Sequence, residues 1–262
     1  MRLHVEVSGR GDPLVMLHGW GMHSGIWSDM AAQLAQHFQV HSVDLPGHGL
    51  SRGHRTLDTV LQAKEMLDEL VDILSAQFDQ PIAVCGWSLG GQIAMHWAVR
   101  EPEKIKRLVL VTSTPCFAER ADWRYGMQKN ILQQFADDLV MDHAATLRRF
   151  LGLQLRGSEN ERELLLKMRE QLFNRGQPDP AALRDGLRIL QEADLRNFLP
   201  EIKQPALVIA GERDKLSPPQ ASHYLVQTLP KARGVEIKGA AHVPFLSHPN
   251  IFYEHMKRFL HE

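Results

Sequence analysis

The chain has 262 residues, 44% of them hydrophobic, and a formal net charge of −1. That length suits one large domain, or one domain with an insertion, and the hydrophobic share suffices for a sizeable core. The near-neutral balance offers no global field for nucleic acid, and no apolar run reaches the ~18 residues that would suggest a membrane span.

In chain order, Arg2 to Val7 alternates like a strand, and Ser8 to Asp12 reads as a turn. Leu14–Leu17 is a short apolar strand of the kind buried on both faces, and it ends in His18-Gly19-Trp20-Gly21. Glycines there let backbone approach a ligand closely; an ordinary tight turn reads the same way. An amphipathic helix is expected over Ile26–Phe38, and a strand over Val40–Val43. The strand runs into the turn-rich Asp44-Leu45-Pro46-Gly47-His48-Gly49. Leu57 to Phe78 carries a helical period that includes Val60 and Leu61. Pro81–Cys85 then leads into Gly86-Trp87-Ser88-Leu89-Gly90, followed by a helical pattern. This fits G-x-S-x-G, a strand-to-helix turn so tight that it strains a serine and lifts its hydroxyl clear of a sheet. Alone, the pattern also fits a glycine-rich turn with a helix-capping serine.

Leu108–Val111 is another buried strand, closed by Thr112-Ser113-Thr114-Pro115. Strand and helix alternate to this point, which argues for a parallel sheet covered on both faces. The rhythm then stops. Residues 116–198 show only helical patterns: 127–139, 144–155, 161–173 and 180–190. This all-helical insertion is the candidate lid and seat of substrate choice. The remainder, 1–115 and 199–262, is the expected core. Strands resume at Ala206–Ala210, followed by Gly211-Glu212-Arg213-Asp214, and at Gly234–Ile237, followed by Gly239-Ala240-Ala241-His242. A helix from Pro249 closes the chain. Cys85 and Cys116 fall in or after buried strands, so a disulfide scaffold is not expected and a reducing cytoplasm fits.

Ser88, Asp214 and His242 all follow predicted strands, at the edge where open α/β sheets place their ligands. In that order they read as nucleophile, orienting acid and general base. The histidine takes the serine proton, and the acid holds the imidazole in the right tautomer. Trp20 and Leu89 would supply backbone N–H groups to an oxyanion. Asp44 precedes the serine and reads as structural. Cys85, inside a strand, is not expected to be a nucleophile. No histidine cluster has metal-ligand spacing, and no metal or organic cofactor is expected.

Together, the His18–Gly21, Asp44–Gly49, Gly86–Gly91 and Gly239–His242 stretches resemble the α/β-hydrolases. With Ser113-Thr114-Pro115-Cys116-Phe117, Arg149–Gln154 and Gly186–Leu190, they resemble more narrowly the esterases that cleave the methyl ester of pimeloyl on acyl-carrier protein in biotin synthesis. That resemblance implies a substrate site from Trp20, Ser88, Leu89, Phe150, Leu151, Gly152, Leu153, Gln154 and His242. It also implies carrier-protein contact at Arg149 and Arg162, while Ala145 and Leu166 stand where the family can carry arginine. A monomer is expected, with no nucleic-acid or membrane partner. The rival readings are another short-acyl esterase, a C–C bond hydrolase, or a receptor that keeps the fold to bind a small molecule.

Between His143 and Arg175 the chain holds seven basic residues (Arg148, Arg149, Arg156, Arg162, Lys167, Arg169, Arg175) and four acidic ones. Such a patch can steer an acidic partner. A solvated helix face laced with pairs such as Glu163–Lys167 is the alternative.

Overall fold

The apolar runs become strands of one sheet in a computed structural model that describes residues 3–52 and 61–262. The strands are β1 (Val5–Ser8), β2 (Pro13–Leu17), β3 (Gln39–Val43), β4 (Ile82–Trp87), β5 (Ile105–Val111), β6 (Ala206–Gly211) and β7 (Ala232–Ile237). Their order across the sheet is β1-β3-β2-β4-β5-β6-β7. β1 runs antiparallel to β3, and the other neighbours are parallel. β2 and β6 are buried at every residue, as parallel strands covered on both faces must be.

Helices α1 (Ser28–Leu34), α2 (Ala63–Ser75) and α3 (Leu89–Arg100) join the first strands. Between β5 and β6 come α4 (Lys129–Met141), α5 (His143–Leu155), α6 (Glu161–Phe173) and α7 (Pro180–Glu192). Then follow α8 (Pro219–Thr228), α9 (Pro244–Ser247) and α10 (Pro249–His261). The expected helix from Ile26 starts instead with a 3₁₀ turn over Ser24–Trp27, because the His23 ring accepts the Gly25 N–H at 3.1 Å and tightens the entry. α2 begins at a capping box of Gln62 and Glu65; the expected start at Leu57, with Val60, lies outside the described residues, as does Arg2. The single turn of α9 carried no periodic signal.

Residues 116–127 form isolated bridges rather than a strand. One bridge joins Cys116 to Asp194, so the insertion leaves and re-enters the sheet at one neck. Arg196 fastens that neck with ion pairs to Asp194 at 2.7 Å and Asp122 at 3.0 Å. Elsewhere the insertion is bolted to the core by Lys167–Asp29 and Arg175–Glu6 pairs, each 2.6 Å. Lys167 thus reaches across to Asp29 rather than along its own helix to Glu163. Among the described residues, no helix is long and apolar enough to cross a membrane.

Candidate active site

Ser88 sits between β4 and α3 at φ 55° and ψ −116°. A non-glycine residue held there stores on the order of 1–3 kcal/mol of strain. The turn is too tight for side chains on either flank. A Cβ on Gly86 would lie 2.2 Å from the Gly90 oxygen, and one on Gly90 would lie 2.6 Å from the Leu17 oxygen. Leu89 opens α3, so its N–H belongs to the first turn, which lacks intrahelical acceptors.

The loop after β6 carries Asp214, and the loop after β7 carries His242. The His242 Nδ1–H donates to Asp214 Oδ2 at 2.8 Å, with both side chains buried. The other carboxylate oxygen of Asp214 accepts the N–H groups of Leu216 and Ser217, at 2.8 and 3.0 Å, which locks its rotamer. With Nδ1 carrying the proton, Nε2 is left as an acceptor. That atom is buried and has no hydrogen-bond partner among the described residues. The His242 carbonyl accepts the Trp87 indole N–H and the Thr112 hydroxyl, each at 2.8 Å. Its own N–H donates to the carbonyl of Gln154 in α5 at 3.1 Å.

The glycine turn after β2 rests on a neutral histidine. The His18 Nδ1–H donates to the Gly19 oxygen at 2.8 Å, while Nε2 accepts the Leu45 N–H at 3.0 Å. Burial, reinforced by the facing His48, pushes the His18 pKa down to about 3. Trp20 donates its indole N–H to the Leu183 carbonyl of α7 at 2.8 Å and meets Phe150 edge-to-face at 4.9 Å. Gly186 of α7 lies so close that a Cβ there would approach Trp20 Cδ1 to 2.8 Å. The insertion therefore closes directly over the turn, and Ser88 is only 7% exposed.

Of the residues expected at the site, His242 bonds to both Asp214 and Gln154, Phe150 packs on Trp20, Gly186 abuts both Trp20 and Leu89, and the turn before Trp20 abuts Ser88. Phe150 and Leu151 are buried, while Gly152 and Leu153 are half-buried. A Cβ on Gly152 would meet nothing within 4 Å. Arg149 is ion-paired to Asp138 at 2.5 Å and lies 4.5 Å over the Phe135 ring. Arg162 is exposed at the start of α6. Asp44 is structural: its carboxylate accepts the Ser24 and Leu50 N–H groups at 2.6 and 2.8 Å. Cys85 lies fully buried inside β4, and that burial pushes its thiol up, away from the thiolate form a nucleophile needs. Sequence reasoning missed Thr112, Ser113, Leu183 and the Trp87 indole as neighbours of the site. Only the Thr-Ser pair closing a buried strand gave a signal.

The chain belongs to the α/β hydrolase fold family, whose sequence profile matches residues 12–249. It is 44% identical over 250 residues to a pimeloyl-[acyl-carrier protein] methyl ester esterase of Nitrosomonas europaea, covering 95% of this chain and 96% of that one. It is 41% identical over 260 residues to a pimeloyl-[acyl-carrier protein] methyl ester esterase of Nitrosospira multiformis, covering 98% and 97%. In architecture it is similar to an esterase from Exiguobacterium antarcticum, with a TM-score of 0.87 and 21% identity over 99% of this chain and 96% of that one.

Proposed function

We propose that the protein is a serine carboxylesterase that hydrolyses the methyl ester of pimeloyl carried on acyl-carrier protein, a step of biotin synthesis. The observation that carries this reading is the buried Asp214–His242 pair with its unpartnered Nε2, tied through the adjacent hydroxyls of Thr112 and Ser113 to the main chain of the strained Ser88. The full-length similarity to esterases of that name supplies the substrate.

In the proposed reaction, His242 Nε2 takes the Ser88 hydroxyl proton as the oxygen attacks the ester carbonyl carbon. The N–H groups of Trp20 and Leu89 receive the negative charge of the tetrahedral intermediate. Each such donor is worth on the order of 3–4 kcal/mol. His242 returns the proton to the methoxy group, and methanol leaves. Water then attacks the Ser88 ester as His242 takes its proton, and His242 returns that proton to Ser88 Oγ as the intermediate collapses, releasing pimeloyl with a free carboxylate, still on its carrier. Asp214 keeps the imidazole in the tautomer both steps need. No metal or organic cofactor enters.

Residues 116–198 form the lid over a core of 1–115 and 199–262 in this reading. Phe150, Leu151, Gly152, Leu153 and Gln154 line the acyl chain, and Arg149 and Arg162 meet the acidic carrier. The enzyme acts as a cytoplasmic monomer. The test is hydrolysis of pimeloyl methyl ester on acyl-carrier protein beside p-nitrophenyl esters of graded length. A strong preference for the carrier substrate, abolished in Ser88→Ala, is expected. Equal turnover of small esters makes the protein a general esterase, and turnover that survives in Ser88→Ala sinks the mechanism.

A further inference from the structure

Outside the glycines, the described residues with positive φ are Ser88 at 55° and Thr112 at 41°. A β-branched residue in that region is an outlier, and it persists only where its surroundings over-determine it. Thr112 lies at the end of β5, between the loops that carry Ser88 and His242. Its hydroxyl donates to the His242 carbonyl at 2.8 Å. The next residue, Ser113, donates its hydroxyl to the Ser88 carbonyl at 2.9 Å. Both residues are fully buried. In a continued strand, neighbouring side chains point to opposite faces, whereas the left-handed turn at Thr112 breaks that alternation. The main chain is tied on both sides as well. The Thr112 N–H donates to the Ile209 carbonyl at 2.7 Å, and the Ser88 N–H donates to the Val111 carbonyl at 3.0 Å.

We propose that Thr112 and Ser113 are positioning residues that set the spacing between nucleophile and base, one hydroxyl holding the main chain of each. This rests on the esterase reading above. The two carbonyls belong to loops at residues 88 and 242, far apart in sequence, and the Thr112-Ser113 dipeptide bonds to both. Trp87 shares the His242 carbonyl through its indole N–H, so loss of the Thr112 hydroxyl loosens the histidine without freeing it. The hydroxyls touch no substrate. They act through the distance across which Ser88 hands its proton to Nε2, a distance to which the rate is steeply sensitive.

The test compares Thr112→Val, Thr112→Gly, Thr112→Ser and Ser113→Ala on p-nitrophenyl acetate. Rates of Ser88 labelling by a fluorophosphonate and melting temperatures are read alongside. Thr112→Val is expected to lower kcat roughly 10- to 100-fold with KM little changed, and to slow labelling by a similar factor. Thr112→Ser restores most of the rate. Thr112→Gly relaxes the strain yet stays slow, because the hydroxyl rather than the φ angle does the holding. Ser113→Ala acts in the same direction, and its combination with Thr112→Val is less than additive. Wild-type kcat and labelling in folded Thr112→Gly or Thr112→Val overturns the proposal, as does a loss that follows melting temperature alone. Ser88→Ala is the separate control. If it stays active, the esterase mechanism fails; if it is dead while the Thr112 and Ser113 variants are silent, only the positioning role fails.

Discussion

The main-chain N–H of His242 donates to the carbonyl of Gln154 at 3.1 Å, so the loop bearing the proposed base is hydrogen-bonded to the last turn of α5. The insertion thus reaches the proposed reaction centre through backbone as well as through side chains.

The Gln154 side chain is 2% exposed, with its Oε1 lacking a hydrogen-bond partner among the described residues. An unpaired buried acceptor costs about 1–3 kcal/mol. Gln154→Met removes it at similar volume. The melting temperature is expected to rise by about 2–4 °C per kcal/mol recovered, while turnover of the carrier-bound ester falls. Calorimetry and kinetics on one preparation check both. A more stable variant with undiminished turnover removes Gln154 from substrate binding.

Asp214→Asn keeps the shape of the pair but changes the tautomer it favours. The Leu216 and Ser217 N–H groups can still hold an amide oxygen, so the fold is expected to survive. A fall in kcat on the order of 10⁴ is expected, with a near-normal melting curve. A loss below tenfold means His242 works without its carboxylate.

Charge reversal separates steering from structure. Arg149→Glu breaks the Asp138 pair and faces that carboxylate with another, so it destabilises the α4–α5 contact besides changing surface charge. Arg162→Glu, at an exposed site, is the cleaner probe. It is expected to lower kcat/KM for the carrier substrate, flatten the salt dependence and spare small esters. Steady-state rates at several ionic strengths check this. Unchanged carrier kinetics leave Arg162 as a solvated residue.

Stability should fall in acid. Burial holds the His18 pKa at about 3, against an ordinary value of 6.5, so between those pH values the unfolded chain binds a proton that the folded chain refuses. The contribution is complete above about pH 6.5 and is lost as pH falls toward 3, at up to ~1.4 kcal/mol per pH unit. Burial pushes the pKa values of His48 and His23 down as well, which steepens the slope. Urea titrations between about pH 4 and 8 are expected to show this, and His18→Asn is expected to be less stable at pH 8 but shallower in slope. An unchanged slope in His18→Asn assigns the acid sensitivity elsewhere.

What the sequence by itself determined was most of what has a local cause, the 3₁₀ entry at Ser24–Trp27 and the single turn of α9 excepted. Apolar runs of four or five residues with helical periods between them specified most of the sheet and its covering helices, because side-chain periodicity is a property of neighbouring residues. Gly86 and Gly90 marked the elbow because only hydrogen fits against backbone there. Asp214 and His242 were legible because both follow strands, and strand ends in such a sheet share one edge. Only the tertiary structure decided what crosses between elements. Lys167 meets Asp29 rather than Glu163, and Arg149 is held by Asp138 and Phe135. The hydroxyls of Thr112 and Ser113 divide between His242 and Ser88. These partners lie from 11 to 138 positions apart. Which of many polar groups meet at that range depends on how helices and loops pack, and no local pattern records it.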